Sequence, residues 1–234
     1  MIQVQHLSKI YGSTRVLHIP HLEIPAGQSF GLVGNNGAGK TTFFSLFLDL
    51  IKPSSGQVSN HGVVVDKSED WKPFTTAFLD DSFLIGYLTC EEYFYFIGEL
   101  RNQTKAQIDA FLEKYQDFFN DEILGKNKYI RDLSKGNQKK VGIIGTLIGE
   151  PKVVVLDEPF ANLDPTTQIR LKKILRNIAD TKQTTLLVSS HDLNHTFEIS
   201  DRIVCFEKGE IIKDIITAEY TYDELTAFFD VVEE

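Results

Sequence analysis

Apolar and polar positions follow two regimes along this chain. From Ile2 to Leu7 and from Arg15 to Ile24 they alternate with a period of two, on either side of a turn at Tyr11-Gly12-Ser13. That pattern predicts two antiparallel strands, each with one buried face. Gln28 to Val33 is a short apolar run that enters a Gly-rich turn. A helical pattern follows from Thr41 to Leu50, with an apolar face at Phe43, Phe44, Phe47 and Leu50. Pro53-Ser54-Ser55-Gly56 ends this unit, and His61 to Val65 reads as a further strand.

The period then changes. From about Thr89 to Gly149, apolar residues recur at helical spacing through Tyr93, Phe94, Phe96, Ile97 and Leu100, and again from Ile108 to Phe119. The interleaved acids read as solvated helix faces. After Pro151 a β/α alternation resumes. Val153 to Leu156 is apolar throughout, as expected of a central parallel strand covered on both faces. A helix over Gln168 to Thr181, a strand over Thr184 to Ser189, a helix over Asn194 to Ser200, a hairpin at Lys208-Gly209 and a short acidic helix over Tyr222 to Phe229 complete the pattern. The expected class is α/β: a mostly parallel central sheet, an antiparallel β subdomain and an inserted α-helical subdomain. Residues 1–234 form one domain in this reading. Residues 1–88 and 150–234 make the core with its β subdomain, and 89–149 the helical insertion.

Composition narrows the functional classes. A chain of 234 residues can bury a substantial core. Its formal charge of -9 disfavours nonspecific nucleic acid or anionic lipid as partners, so no nucleic acid is expected. Cys90 and Cys205 form no metal or redox motif and read as free, buried thiols in a reducing compartment. Met1 to Lys9 lacks a signal-peptide pattern. No apolar stretch reaches the roughly 18 residues that span a bilayer. Any membrane role is therefore expected to run through a partner.

The chemistry is concentrated in two places. Gly34-Asn35-Asn36-Gly37-Ala38-Gly39-Lys40-Thr41-Thr42 matches G-x-x-x-x-G-K-[ST] between a strand and a helix. Glycines let successive N–H groups turn toward phosphate oxygens, and the helix adds its positive end. Lys40 is then expected on the β and γ phosphates of ATP, and the Thr41 hydroxyl on Mg²⁺. The apolar run at Val153 ends in Asp157-Glu158. Acids there serve either as helix caps or, beside a phosphate loop, as a Mg²⁺-side carboxylate (Asp157) and an acid that orients the attacking water (Glu158).

Leu133-Ser134-Lys135-Gly136-Asn137-Gln138 narrows this further. It resembles the LSGGQ signature of the ATP-binding-cassette (ABC) ATPase family, and the resemblance spans nearly the whole chain. Tyr11 matches the family's adenine-stacking aromatic, Ala161-Asn162-Leu163-Asp164 the D-loop, and His191 the switch histidine. Taken singly, Tyr11 also reads as a turn aromatic, and His191 and Asp164 as ordinary helix starts. The resemblance implies a head-to-tail dimer, homomeric or with another ABC ATPase subunit. In it Ser134, Lys135, Gly136 and Asn137 of one subunit face the nucleotide of the other, and His191 contacts the γ-phosphate in cis. It also implies a separate membrane-spanning subunit, docked near Asp80 to Phe96 at the cytoplasmic face of the membrane. The other readings are a soluble single-cassette ATPase of assembly or repair, and a non-catalytic nucleotide-binding regulator.

The match departs from the family at three positions. Lys135 stands where glycine is usual, either as a cation near the facing phosphate or pointing into solvent, and Asn137 stands where glutamine is common. The family's glutamine at the junction with the helical subdomain is absent, and counting back from Leu88-Thr89 puts Asp80 in its place. A carboxylate can also contact Mg²⁺ or its waters, which makes Asp80 a candidate metal-side ligand.

Overall fold

The computed structural model describes residues 1–226. Strands β1 (Ile2–Tyr11) and β2 (Thr14–Ile24) pair antiparallel as the alternation requires, with Ile2 opposite Ile24 and Tyr11 opposite Thr14. β3 (Ser29–Val33) is buried at every position and leads through the Gly-rich loop into α1 (Lys40–Phe47). β4 (Ser55–Asn60) returns to β1, and the two-residue β5 (Val63–Val64) pairs with β4. The antiparallel sheet runs β2-β1-β4-β5.

The second sheet contains β3 together with β6 (Thr75–Phe78), β7 (Val153–Leu156), β8 (Thr185–Ser190), β9 (Arg202–Glu207) and β10 (Glu210–Ile216), in the order β10-β9-β3-β8-β7-β6. Every neighbouring pair is parallel except the closing hairpin of β9 and β10. Between β6 and β7 lie α2 (Cys90–Leu100), α3 (Lys105–Glu113), α4 (Gln116–Phe119) and α5 (Lys135–Leu147). α6 (Pro165–Asp180) and α7 (Leu193–Ile199) flank β8 in the chain.

The continuous apolar run of β7 has a direct physical cause. Val153 and Val155 pack with Phe43, Phe44 and Phe47 of α1 under the antiparallel sheet, whereas Val154 and Leu156 pack with Val141, Ile144, Leu171 and Leu175 beneath the helices. A strand covered on both faces has no polar side to show. Local signals start the helices of the insertion. Thr89 and Glu92 form a capping box at α2, with Thr89 N donating to Glu92 Oε2 at 2.7 Å, and Thr104 and Gln107 form another at α3. Ser134 accepts from Asn137 N at 3.3 Å and starts α5.

Several expectations needed correction. β4 begins inside the expected Pro53–Gly56 terminator, because Gly56 takes a φ of 74° in close approach to the His6 backbone. β6 carried too short and too threonine-rich a pattern to register as a strand. His61 adopts a left-handed φ of 50° and is a turn residue, so only Val63–Val64 of that segment is extended. α1 stops at Phe47, which leaves Leu50 exposed instead of on the apolar face. α6 starts earlier than expected, at Pro165, behind the cap Asp164. The expected tail helix is described from Tyr222 as far as Thr226, and its remainder to Phe229 lies outside the described residues. Cys90 and Cys205 are free and buried, and burial pushes both thiols up to about 12.

Candidate nucleotide site

β3, β8 and β7 lie side by side and parallel, so their carboxyl ends bring three loops together: Gly34 to Lys40, Ser190-His191, and Asp157-Glu158. Gly34 N donates to Ser190 O at 3.3 Å and Gly209 N to Ala38 O at 2.9 Å, which ties the phosphate loop to β8 and to the β9–β10 hairpin. A Cβ on Gly34 would overlap the Phe206 carbonyl. Gly39, at φ 108°, turns the chain into α1. No side chain caps α1, and no acid lies in its first turn. Its N–H groups therefore suit an anion. Asn35, Asn36 and Gly37 are exposed at the loop surface, with Ala38 buried beneath them.

Lys40 is buried inside the loop. Its Nζ donates to Gly34 O at 2.5 Å and to Asn35 O at 3.4 Å, and lies 3.3 Å from Glu158 Oε1. Thr41 Oγ1 donates to Asp157 Oδ2 at 2.5 Å, and Thr42 follows it half-buried in α1. Ser189 Oγ donates to the other Asp157 oxygen and accepts from Glu158 N at 3.0 Å. Burial raises the Asp157 carboxyl above its ordinary range, against the hydrogen bonds from Ser189 and Thr41 that favour the anion.

Glu158 sits at the centre of this arrangement. Its φ of 46° is left-handed, a costly conformation for a residue with a side chain. His191 Nδ1 lies 2.8 Å from Glu158 Oε2 and donates to it when that nitrogen carries the proton. Glu158 Oε1 is buried and accepts no directed hydrogen bond among the described residues. A carboxylate with one oxygen oriented by His191 and the other paired with the Lys40 ammonium is placed to orient a water for attack.

The oxygen donors also fit a hard divalent cation. Thr41 and Asp157 face each other, with Thr41 Oγ1 2.5 Å from Asp157 Oδ2.

The remaining sequence candidates lie around this centre. Tyr11, half exposed at the end of β1, has the Lys9 ammonium 4.9 Å from its ring centroid. Ser134 and Lys135 are exposed, and Gly136 packs so closely on the D-loop that a Cβ would stand 3.1 Å from Asn162 O. Asn137, half-buried, completes the first turn of α5. Asp164 accepts from Thr167 N at 3.0 Å and from the Thr167 hydroxyl, bonds that hold its carboxyl below the usual range. Asp80 stands two residues beyond β6, where its carboxylate accepts from Ser82 N at 2.6 Å and fixes a short turn. Lys135 is not simply solvated, since its Nζ lies 3.3 Å from Asp81 Oδ2.

Sequence reasoning missed Ser189 and Lys139. Ser189 is the first polar residue after the apolar run Leu186-Leu187-Val188 of β8, and that break is the one sequence signal that pointed to it.

A family model described as ABC transporter matches residues 17–161, more than half of the chain. The chain belongs to the ABC transporter family. The matched span contains the phosphate loop, the α5 signature and Asp157-Glu158. Among ABC relatives, an uncharacterized ABC transporter ATP-binding protein of Methanocaldococcus jannaschii is 32% identical, over 90% of this chain and 76% of the relative. The bacitracin transport ATP-binding protein BcrA of Enterococcus faecalis is 28% identical, over 94% of this chain and 70% of the relative. A solved ATP-binding subunit of an ABC transporter superposes with a TM-score of 0.82 at 25% identity, covering 98% of this chain and 93% of that one. The fold is that of an ABC ATPase cassette.

Proposed function

We propose that this chain is the MgATP-hydrolysing subunit of an ABC transporter. In this reading it closes on a second nucleotide-binding subunit and drives a separate membrane-spanning one. The observation that carries the reading is Glu158, held between His191 and Lys40 at the mouth of the phosphate loop.

The uncapped end of α1 and the loop from Gly34 to Thr42 bind the triphosphate. Lys40 leaves its carbonyl partners for the β and γ oxygens, and Tyr11 stacks on adenine. Thr41 and Asp157 would hold Mg²⁺, which would supply neutralisation of the charge developing on the phosphates. Asp80 joins them from the metal side as the substitute for the family's glutamine. Its support is proximity: Asp157 N donates to Phe78 O at 3.0 Å, two residues before Asp80. Glu158 then orients a water and accepts its proton, while His191 holds the carboxylate and touches the γ-phosphate.

Residues 89–149 act as the signature subdomain and the rest as the core. Ser134, Lys135, Gly136 and Asn137 complete the partner subunit's site in trans, alongside Asp164. Exposure of Ser134 and Lys135, and the packing of Gly136 on Asn162, support one surface shared by the signature and the D-loop.

No helix among the described residues is long and apolar enough to cross a membrane. Coupling is therefore assigned to docking at the cytoplasmic face. A groove of about 750 Å³ between β6 and the helices, lined by Thr75, Ala77, Tyr93, Ile97 and Arg101, is the candidate receptor. Phe83, Tyr87 and Phe96 are exposed nearby and offer apolar contact, whereas Tyr93 and Phe94 belong to the core.

The deciding experiment is Glu158→Gln in a Mg²⁺-dependent phosphate-release assay, with size-exclusion chromatography in ATP. Loss of a general base costs on the order of 10²–10⁴-fold in turnover, and ATP-bound dimers should accumulate. Unchanged turnover would remove Glu158 from the mechanism. Recovery of a multi-span membrane protein with the tagged chain supports the transport reading, whereas recovery of soluble scaffold proteins alone would refute it.

A further inference from the structure

The start of α5 carries two lysines four residues apart, and both meet acids of other elements. Lys135 Nζ lies 3.3 Å from Asp81 Oδ2 in the turn after β6. Lys139 is 7% exposed, and its Nζ donates to the backbone carbonyl of Glu158 at 2.8 Å. Burial weakens the hold of Lys139 on its proton, while the carboxylates of Asp81, Glu158, Asp157 and Asp80 all favour its charged form. Two of those acids belong to the nucleotide site and two to the turn beside it. Asp81 Oδ1 is itself buried and accepts no hydrogen bond among the described residues.

A left-handed residue with a side chain persists only where its surroundings hold it. Glu158 is anchored on both sides: its N–H donates to Ser189 Oγ at 3.0 Å, and its C=O accepts from Lys139 Nζ at 2.8 Å and from Ala161 N at 3.3 Å. Pro159 follows, whose ring limits how the chain can relax. With both anchors in place, the carboxylate is aimed at His191 and Lys40. Remove the Lys139 bond and the Glu158 carbonyl keeps only the longer bond from Ala161 N, which holds this peptide less firmly.

We propose that Lys139 is a positioning residue for Glu158: its ammonium, bonded to the Glu158 carbonyl, fixes the left-handed backbone that aims the catalytic carboxylate, and α5, held to Asp81 by Lys135 one helical turn away, connects that carboxylate to the turn after β6. Lys139 acts through Glu158, whose carbonyl it holds. The proposal rests on the reading of Glu158 as the catalytic base. It goes beyond that reading by making the signature helix a support of its own subunit's site, in addition to its trans role.

The experiment compares Lys139→Met, Lys139→Arg, Asp81→Asn and the double variant Asp81→Asn/Lys139→Met with Glu158→Gln in parallel. For each, kcat, KM for ATP, the Kd of a non-hydrolysable ATP analogue and the melting temperature are measured. Misplacing a reacting group by about 1 Å costs up to about 100-fold. Lys139→Met is therefore expected to lower kcat by about ten- to a hundredfold, with KM and analogue Kd within about threefold of the parent. Lys139→Arg, which keeps charge and donor, should recover most of the rate. Asp81→Asn should change kcat in the parent chain but not in the Lys139→Met background.

If Lys139→Met keeps more than half the parent kcat while Glu158→Gln abolishes it, the Lys139 proposal fails and the site reading stands. If Glu158→Gln itself retains turnover, the site reading fails. A joint collapse of melting temperature, analogue affinity and rate, unrescued by arginine, reduces Lys139 to a packing role and overturns the proposal. Independent, multiplying effects of Asp81→Asn and Lys139→Met overturn the link to the turn.

Discussion

Ser189→Ala tests the arrangement around Glu158 without touching a residue expected to contact ATP. Ser189 is fully buried, and its one hydroxyl serves two residues: it donates to the Asp157 carboxylate and accepts from Glu158 N at 3.0 Å. A hydrogen bond to a charged group contributes about 1.5–3 kcal/mol, and a buried N–H left without an acceptor costs about 1–3 kcal/mol. Thr41 still donates to Asp157, so the carboxylate keeps one partner and the lower half of each range applies. The expected loss is about 3 kcal/mol. For a chain of this size each kcal/mol moves the melting temperature by about 2–4 °C, so the shift should be about 6–12 °C. The assay is thermal and urea denaturation of nucleotide-free protein, because bound ATP would add its own stabilisation. Ser189→Cys, a weaker donor of similar shape, should fall between the two. A shift below about 2 °C for Ser189→Ala would show that the hydroxyl does not hold the two acids, and the account of a clamped Glu158 backbone would fall with it.

Other consequences follow from packing and from the thiols. Gly142 lets α5 press on β6, since a Cβ there would overlap the Phe78 ring. Gly142→Ala gains about 1 kcal/mol of helix propensity but meets an overpacking cost of about 1–3 kcal/mol. Urea denaturation should show a net loss of up to about 2 kcal/mol, partly recovered by Phe78→Leu in the same chain, and a gain in stability would contradict the packing. Cys90 and Cys205, raised by burial to about 12, hold their protons until well above physiological pH. At pH 8 a thiol titrating there is thiolate in only about one molecule in 10⁴. Iodoacetamide should leave the native protein unmodified at pH 8 and label both thiols in urea, and rapid native labelling at either site would be inconsistent with the burial.

Much of the site was legible because its chemistry depends on short, contiguous segments. The loop from Gly34 to Thr42 needs glycine at bends and lysine and threonine at the helix start, all within one stretch. Asp157-Glu158 announced itself as charge at the end of an apolar strand, and the helical insertion announced itself by its change of period. The strands that went unread, β4 and β6, are short and carry little hydrophobic pattern. β6 owes its extended form to hydrogen bonds along β7, from Thr75 opposite Val153 to Phe78 opposite Leu156, and no local preference of its own residues reveals that.

The sequence alone therefore determined the class of fold, the family resemblance and the residues able to handle a triphosphate, because these rest on local periodicity and on the spacing of side chains along one segment. Only the tertiary structure decided which carboxylate oxygen faces which cation. It put Lys135 on Asp81, Ser189 between Asp157 and Glu158, and Lys139 on the Glu158 carbonyl. Those contacts join positions from 19 to 54 residues apart, from Lys139 to Glu158 and from Asp81 to Lys135. Such pairings are set by the order of the parallel strands and the depth at which α5 packs, and a buried charge declares its partner only when the chain has closed around it.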